Sequence, residues 1–329
     1  MNSVEKYLEN LVKTVPLCTL PNNTKTNQTE QTIFRYLTST KFRTISLSSE
    51  LEKKVKAKIH LCVSKNKPLH LTVPFGGYKL WKFPTYPNPD WSEVFNLIQL
   101  RKYLTPIANF YNPGIILEYW SDEITVSKMN NYPQKELDSY NTDFAEIIKW
   151  FSDYLPDNFQ IKFSKIRDQI SYQKFWTLAD KYIEKNRSKW HQVPEKERKF
   201  RLKKSERNYK GDLAKLSERE KNEILLYGAL CHDAFIFGDW KKDTPWAFDK
   251  HMIALGFRYT KSWGIPVMSS RSSYCQFWIG MGALIKKNKE FLPTILTYQQ
   301  YLTKKDSLQK RSCQYIPEQI WKFKTYIYL

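Results

Sequence analysis

The sequence has few cysteines and few glycines for its length of 329 residues. Its five cysteines are scattered and odd in number, and no CxxC pair or cysteine–histidine cluster occurs. This pattern argues against a disulfide framework and a zinc module, so we expect reduced thiols and a cytoplasmic protein. Only 10 glycines, beside 41% hydrophobic and 16% aromatic residues, indicate a packed globular core rather than a disordered or collagen-like chain.

Long apolar runs are also missing. No segment approaches the roughly 18 consecutive apolar residues that a membrane-spanning helix needs. Residues 1–20 carry Glu5, Lys6, Glu9 and Lys13, where a signal peptide would be apolar. We therefore expect neither a secreted nor a membrane-spanning protein.

The glycine-rich motifs that bind nucleotides do not occur. Neither GxGxxG nor the P-loop pattern is present, and Gly280-Met-Gly282 lies in the wrong context for either. The nucleophile elbow GxSxG and the protein-kinase motifs are missing too. We predict that the protein uses no cofactor.

Histidines and carboxylates come together loosely at His232, Asp233, Asp249 and His251. They show no HxH or HExxH spacing, so hydrogen-bonded structural histidines are favoured over metal ligands, and we predict no metal site. Cys231 precedes His232, but adjacent residues on a helix do not face each other. We interpret Cys231 as a small buried hydrophobic residue rather than a nucleophile.

Positive charge is in large excess, with 53 Lys+Arg against 33 Asp+Glu and a net charge of +20. Residues 1–160 hold 19 basic and 16 acidic side chains, whereas residues 161–329 hold 34 and 17. The densest part is 181–221. Such a field attracts phosphates, nucleic acid or anionic lipid, with a strong dependence on salt.

Two interpretations of this basic stretch stay open. Nucleic acid is one candidate partner, because aromatic residues are interleaved with the cations for base stacking. The cations in question are Lys199, Arg201, Lys203, Lys204 and Arg207, and the aromatic residues are Trp190, Phe200 and Tyr209. The other interpretation is a solvated helical face, since Glu195, Glu197 and Glu206 alternate with the basic residues.

Helical and strand patterns alternate along the chain, which predicts an α/β fold with some parallel pairing. Apolar spacing predicts helices near the N-terminus, between 31 and 62, over 91–107 and 142–154, and through most of 170–230. Strands are predicted over 69–73, where Pro74 should end the strand, and over 115–120, 159–163, 252–259, 277–284 and 293–297. A turn at 121–123 follows the second strand.

A loop with four prolines between 74 and 89 precedes the helix predicted at 91–107. Loops this long in compact domains are often functional, and its Lys79 and Lys82 can hold a phosphate or carboxylate. Asp90 and Glu93 at the helix start can receive protons or orient an amine. The competing interpretation is a capping box, which the spacing of these two residues also fits.

In order along the chain stand Lys82, Pro89-Asp90 with Glu93, Tyr111 with Pro113-Gly114, and Ser121-Asp122. In this order and with these gaps, the run 67–140 resembles the isonitrile synthases of pyoverdine and dityrosine biosynthesis. The chain departs from that pattern at Glu123, where the family has glycine, and in the loop between Gly76 and Pro89. The resemblance covers about a quarter to a third of the chain.

The resemblance implies a Rossmann-like mixed sheet flanked by helices, with a helical basic segment in the second half. Together with the residue patterns along the chain, it predicts four regions: an N-terminal helix and polar linker over 1–28, a Rossmann-like region over 29–168, a basic helical region over 169–230, and a C-terminal α/β region over 231–329 completing the core. It also implies an enzyme that condenses the amine of an aromatic amino acid with the ketone of ribulose 5-phosphate and converts the amine to an isonitrile.

Such chemistry needs a base near the amine and a cationic phosphate site. The acid–base candidates are Asp90, Glu93 and Asp122, and the phosphate candidates are Lys79, Lys82, Arg167 and Arg271. Arg271 lies in SSRSSY, where hydroxyls and a guanidinium can grip an anion, although a polar turn explains the same residues. A divergent relative that keeps the fold without the activity remains an alternative.

Overall fold

A parallel four-stranded sheet forms the first layer of the computed structural model, which describes residues 3–14, 20, 26–43, 45–75, 79, 83, 88–237, 252–256, 264–267, 276–288, 290–312 and 325–328. Its strands are β1 (Leu69–Phe75), β2 (Ile115–Ser121), β3 (Phe159–Lys165) and β4 (Ile253–Ala254), in the order β3-β2-β1-β4. The central strands β1 and β2 are buried along most of their length, as expected when helices cover both faces of a parallel sheet.

Helices account for most of the remaining described chain. They are α1 (Ser3–Lys13), α2 (Thr26–Leu37), α3 (Ser49–Ser64), α4 (Trp91–Phe110), α5 (Glu123–Asn130), α6 (Gln134–Ser152), α7 (Ile166–Gln169), α8 (Tyr172–Ser188), α9 (Glu195–Asn208), α10 (Glu218–Phe237) and α11 (Tyr298–Lys304). The arrangement confirms the predicted α/β class with a Rossmann-like parallel sheet. No helix in the described part of the chain is long and apolar enough to cross a bilayer.

A second sheet contains β5 (Gly280–Lys287), β6 (Glu290–Thr297), β7 (Gln309–Ser312) and β8 (Thr325–Tyr328), in the order β6-β5-β8-β7. Its pairing is mixed, because β5 is antiparallel to β6 and parallel to β8. The expected mixture of strand directions therefore lies in this sheet, while every described pair of the first sheet is parallel.

Several predicted strand boundaries need correction: β6 begins at Glu290 rather than Pro293, β3 ends at Lys165 rather than Phe163, and β1 and β5 differ as well. The first strand does not stop at Pro74 but continues to Phe75, with Pro74 opposite Trp120 of β2. The carbonyl of Thr72 accepts a hydrogen bond from the amide of Leu255, next to β4. Backbone groups alternate between the two sides of a strand, so those of Thr72 and Pro74 both point toward β4. In the described chain, β4 pairs with β1 at 71–72 and not at Pro74. The missing N–H of Pro74 therefore faces a side where no β4 partner requires it.

The strand expected over 277–284 begins instead at Gly280, after a short 3-10 turn (Phe277–Ile279). The segment Ile124–Val126, expected beyond a turn, lies inside α5, which starts directly after the strand. Of the strand expected over 252–259, Ile253–Ala254 is a strand, and 257–263 lie outside the described residues. The helical run 170–230 is confirmed as α8, α9 and α10, with a break before Pro194 and another around Gly211.

Aromatic rings fill the space between the first sheet and the helices around Phe75. This ring lies 4.2 Å from the centroid of Phe144 in a stacked geometry and 5.4 Å from that of Phe277. Tyr119 and Tyr140 pack on it from β2 and α6. The residue that ends β1 is thus packed against β2, α6 and the 3-10 turn that precedes β5.

Candidate active site

The carboxyl ends of the three longer parallel strands meet at one edge of the first sheet. Phe75, Ser121 and Lys165 are aligned there in register. The residues that follow include Asp122 and Glu123 after β2, and Arg167 at the start of α7. Ligands of open α/β sheets bind at this edge, so the predicted Ser-Asp pair is placed where a site is expected.

Asp122 is the N-cap residue of α5, yet its carboxylate makes no capping hydrogen bond. Its backbone carbonyl accepts from the amides of Thr125 and Val126, and its amide donates to Phe75 O at 3.2 Å. The side chain as a whole is partly exposed, but Oδ1 is enclosed and has no hydrogen-bond partner among the described residues. The backbone of Asp122 is therefore held by hydrogen bonds, whereas its Oδ1 has none in the described part of the chain.

Burial raises the pKa of Asp122 to about 7, and the neighbouring charge of Glu123 adds to this effect. A carboxyl group with such a pKa is partly ionised at neutral pH and can both accept and return a proton. Desolvation of this kind, at the edge of a parallel sheet, makes Asp122 a candidate functional group.

Glu123 has a side chain that is 1% exposed, and burial raises its pKa. Arg167 Nε lies 3.3 Å from Glu123 Oε1 and offsets part of this burial penalty. The guanidinium also pairs with Asp138 of α6 through Nη2. The positive charge of Arg167, a predicted phosphate ligand, is thus shared between two carboxylates.

A second buried cluster surrounds Lys79. Its Nζ lies 2.8 Å from Asp90 Oδ1 and 3.0 Å from Glu93 Oε2, and it donates to Ser92 Oγ at 2.9 Å. The hydroxyl of Tyr140 donates to Glu93 Oε1 at 2.5 Å. Burial raises the pKa of Glu93, against the opposing effect of the Lys79 charge. One ammonium group therefore faces two carboxylates with almost no contact to water.

The capping interpretation of Asp90 and Glu93 is confirmed. Asp90 Oδ1 accepts from the amide of Ser92 at 2.7 Å, and Glu93 Oε2 accepts from the amide of Asp90 at 2.6 Å, which forms a capping box on α4. The amide of Gly282 on β5 also donates to Asp90 Oδ1 at 3.1 Å. The cluster therefore joins the start of α4 to the second sheet.

Gly282 is required at this junction. A Cβ at that position would lie 2.4 Å from the amide nitrogen of Ser92 and 2.6 Å from Trp91 Cβ. Only a residue without a side chain lets β5 approach the first turn of α4 this closely. The sequence context of Gly280-Met-Gly282 excluded a nucleotide-binding loop, but it gave no sign of this packing role.

α6 connects the two clusters. Tyr140 contacts Glu93, while the neighbouring Asn141 donates from Nδ2 to Ser121 Oγ at 3.0 Å. Asp138, on the same helix, holds Arg167. These three residues could not be found from the sequence, because each contacts its partner across at least 20 positions of the chain and no local motif marks it.

The structure brings together only some of the predicted residues. Asp90, Glu93 and Lys79 form the buried cluster, and Asp122 lies with Arg167 at the sheet edge. Lys82 and Arg271 lie outside the described residues, as do Asp249, His251 and the side chains of His232 and Asp233. Within the described chain, no group of three or more metal-ligating side chains occurs.

The tyrosine-x-Pro-Gly part of the motif lies at the opposite edge of the sheet. Tyr111 donates from its hydroxyl to Lys67 O at 2.8 Å, just before β1. Gly114 has φ +79°, and a Cβ there would lie 1.8 Å from Asn158 O. This part of the motif therefore fixes the amino ends of β1, β2 and β3 and does not reach the candidate site.

The cations of the alternative interpretation lie on another element. Lys199, Arg201, Lys203, Lys204 and Arg207 belong to α9, which packs against α10. Lys199 pairs with Glu195 and Arg201 with Glu197, one turn apart on the same helix. For these two cations, the structure agrees with a solvated, ion-paired helical face.

Comparison with known proteins yields a fold relationship. Neither a protein-family model nor a curated protein matches the sequence. Among solved structures, the chain is similar to the crystal structure of the PvcA protein from Pseudomonas aeruginosa, with a TM-score of 0.59 and 14% sequence identity. The superposition covers 85% of this chain and 92% of PvcA. The shared fold therefore extends well beyond the run 67–140.

Proposed function

We propose that the protein is an isonitrile synthase-like enzyme that condenses the amine of an aromatic amino acid with the ketone of a ketose phosphate such as ribulose 5-phosphate. The ordered residues of 67–140 support this proposal, as does the fold shared with PvcA, an isonitrile synthase-like protein of the pyoverdine cluster. The observation that carries it is Asp122 at the carboxyl edge of the sheet, whose Oδ1 is enclosed and makes no hydrogen bond in the described chain, and whose pKa is raised to about 7.

Asp122 has the properties that the first step of this reaction requires. An amino acid enters as an ammonium ion and must lose a proton before its nitrogen attacks the ketone carbon. A base that is half ionised near neutral pH accepts that proton, and the same carboxylic acid can return it to the oxygen that leaves as water. The uncommitted Oδ1 is the atom to which we assign this transfer.

We assign Lys79, Asp90 and Glu93 a positioning role. Their charges are satisfied within the buried cluster, and together they fix the first turn of α4 against β5. A phosphate at Lys79 would have to displace two carboxylates, so we assign phosphate binding to Lys82 and Arg271. Arg167, held by Glu123 and Asp138, is assigned to orienting Glu123.

Glu123 is the observation that favours a catalytically divergent relative instead. It stands where the family has glycine, and it places a second buried carboxyl group beside Asp122. The variant Glu123→Gly separates the two possibilities when product is measured. Activity that appears only in this variant would show that the natural chain has lost the reaction.

The proposal is tested by incubating purified protein with ribulose 5-phosphate and either L-tyrosine or L-tryptophan, with product analysis by mass spectrometry. We expect an isonitrile product from the natural sequence, none from Asp122→Asn, and normal turnover from Asp157→Asn, which changes an exposed carboxylate. Thermal stabilisation by the ligands, about 2.7 kcal/mol at 100 times the dissociation constant, reports binding separately. The proposal would be overturned if no pair of substrates gave either a product or thermal stabilisation.

A further inference from the structure

One face of α9 combines unpaired cations with an exposed aromatic ring. The cations flank Phe200 at helical spacing: Lys196 lies four residues before it, Lys203 three residues after it, and Arg207 seven residues after it. All four side chains therefore share one side of the helix. Phe200 is 64% exposed, and the three cations are exposed as well. We call these four residues the cationic face.

The opposite side of α9 is the one that packs on the protein. Ser205 lies about 140° around the helix from Phe200. A Cβ at Gly228 of α10 would lie 2.2 Å from Ser205 Oγ, which shows how closely the two helices approach there. The cationic face therefore points away from α10, and its exposure follows from the direction of packing.

The acidic residues of α9 are engaged elsewhere. Glu195 pairs with Lys199 at 2.6 Å and Glu197 with Arg201 at 3.0 Å, while Glu206 pairs with Lys221 of α10 at 3.7 Å.

No carboxylate in the described part of the chain forms an ion pair with Lys196, Lys203 or Arg207. The charges of Lys199 and Arg201 are therefore neutralised within the helix, whereas the three cations beside Phe200 keep their full charge. Three uncompensated positive charges thus lie on the same side of the helix as the exposed ring of Phe200.

We propose that the cationic face binds single-stranded nucleic acid, with phosphates at Lys196, Lys203 and Arg207 and a base stacked on Phe200. Lys196 and Lys203 lie about 10 Å apart along the helix axis and Lys203 and Arg207 about 6 Å apart, so the three cations can contact phosphates along one strand. Basic side chains beside an aromatic ring are the general means of holding single strands without sequence preference. This binding is separate from the proposed enzymatic reaction and uses none of its residues.

A single exposed aromatic side chain argues against a membrane as the partner. A helix that lies on a lipid surface needs a broad apolar face, whereas the cationic face has Phe200 alone. Stacking of a base needs one ring and no wider apolar surface. These observations favour nucleic acid over lipid.

The test is fluorescence anisotropy of the full chain with a labelled 12-nucleotide oligouridylate. In the face variant, Lys196, Lys203 and Arg207 are each changed to Gln. In the control variant, the ion-paired Lys199, Arg201 and Lys221 are changed to Gln, so that both variants lose the same charge. Melting temperatures of both variants establish that they are folded.

We expect the face variant to bind on the order of 100-fold more weakly at 0.1 M salt, from the loss of about three phosphate contacts, and the control to change only a few-fold. The slope of log K against log salt should fall in magnitude by about 2 in the face variant. Phe200→Ala should lose about 10-fold, and Phe200→Tyr should retain binding.

Equal losses in the two triple variants would overturn the proposal, because net charge alone would then explain binding. Unchanged binding in Phe200→Ala would remove the stacking contact and with it the assignment to a single strand. Binding to phosphatidylserine vesicles without binding to the oligonucleotide would assign the face to a membrane. Absence of binding to either partner would leave α9 as a solvated helix, which also contradicts the proposal.

Discussion

Replacing Asp122 by Asn should make the protein more stable at alkaline pH while abolishing activity. In the folded protein the pKa of Asp122 rises from 3.8 to about 7, chiefly through burial. The folded state therefore holds this proton more tightly than the unfolded chain, and stability falls as pH rises from about 4 to about 7. Asn is uncharged at every pH and does not incur this loss.

The size of the effect follows from the shift. Roughly three pKa units correspond to about 4 kcal/mol, and the partial exposure of the side chain reduces this to about 2–4 kcal/mol. At about 2 °C per kcal/mol, the melting temperature of the variant should exceed that of the natural protein by about 4–8 °C at pH 8. At pH 4 and below, both carry a neutral side chain here, and the difference should vanish.

The assay is a series of melting curves between pH 4 and pH 9 for the natural protein, Asp122→Asn and Asp157→Asn. Asp157 is exposed in the turn before β3, so its replacement should leave the pH profile unchanged. Loss of the Asp122 charge also lowers the penalty on Glu123, which acts in the same direction. Parallel profiles for the natural protein and Asp122→Asn would refute the raised pKa and, with it, the assignment of Asp122 as the base.

Three further outcomes are expected. Lys79→Met should destabilise the protein by about 3–5 kcal/mol in denaturant unfolding, because two buried carboxylates lose their cation. Glu93→Gln should cost less. Equal losses of stability in the two variants would contradict the charge balance of the cluster. Gly282→Ala should cost about 1–3 kcal/mol through its clash with the first turn of α4, while Gly228→Ala meets only a rotatable hydroxyl and should cost less than 1 kcal/mol. Burial raises the pKa of the Cys231 thiol to about 12. After treatment with an alkylating reagent at pH 8, peptide mass spectrometry should find this thiol unmodified in the native protein and alkylated in the denatured protein. Rapid alkylation of the native protein would contradict its burial.

Local patterns predicted the elements of the fold well, because they depend on neighbours along the chain. The apolar spacing of α4 and the box formed by Asp90 and Glu93 are both contained within a few residues. The apolar run of β2 likewise marks a strand buried on both faces. The Pro74 boundary was wrong because the effect of a missing N–H depends on which neighbour it faces, and that is set by the pairing with β4.

The partners of the site residues could not be predicted in the same way. Lys79 was interpreted as a phosphate ligand from its position in a loop, but in the structure it contacts two carboxylates of α4. Tyr140 and Gly282 join that cluster from positions far along the chain. Such contacts arise only when α6 and β5 pack on the same helix terminus.

The sequence by itself determined where helices and strands form, the capping of α4, the position of Asp122 after a strand, and the excess of positive charge. These features follow from side-chain periodicity, short spacings and composition. Only the tertiary structure decided that Oδ1 of Asp122 is enclosed, that the charge of Lys79 is neutralised, and which cations of α9 are paired. Burial and long-range contacts set these properties, and neither is encoded in the spacing of nearby residues.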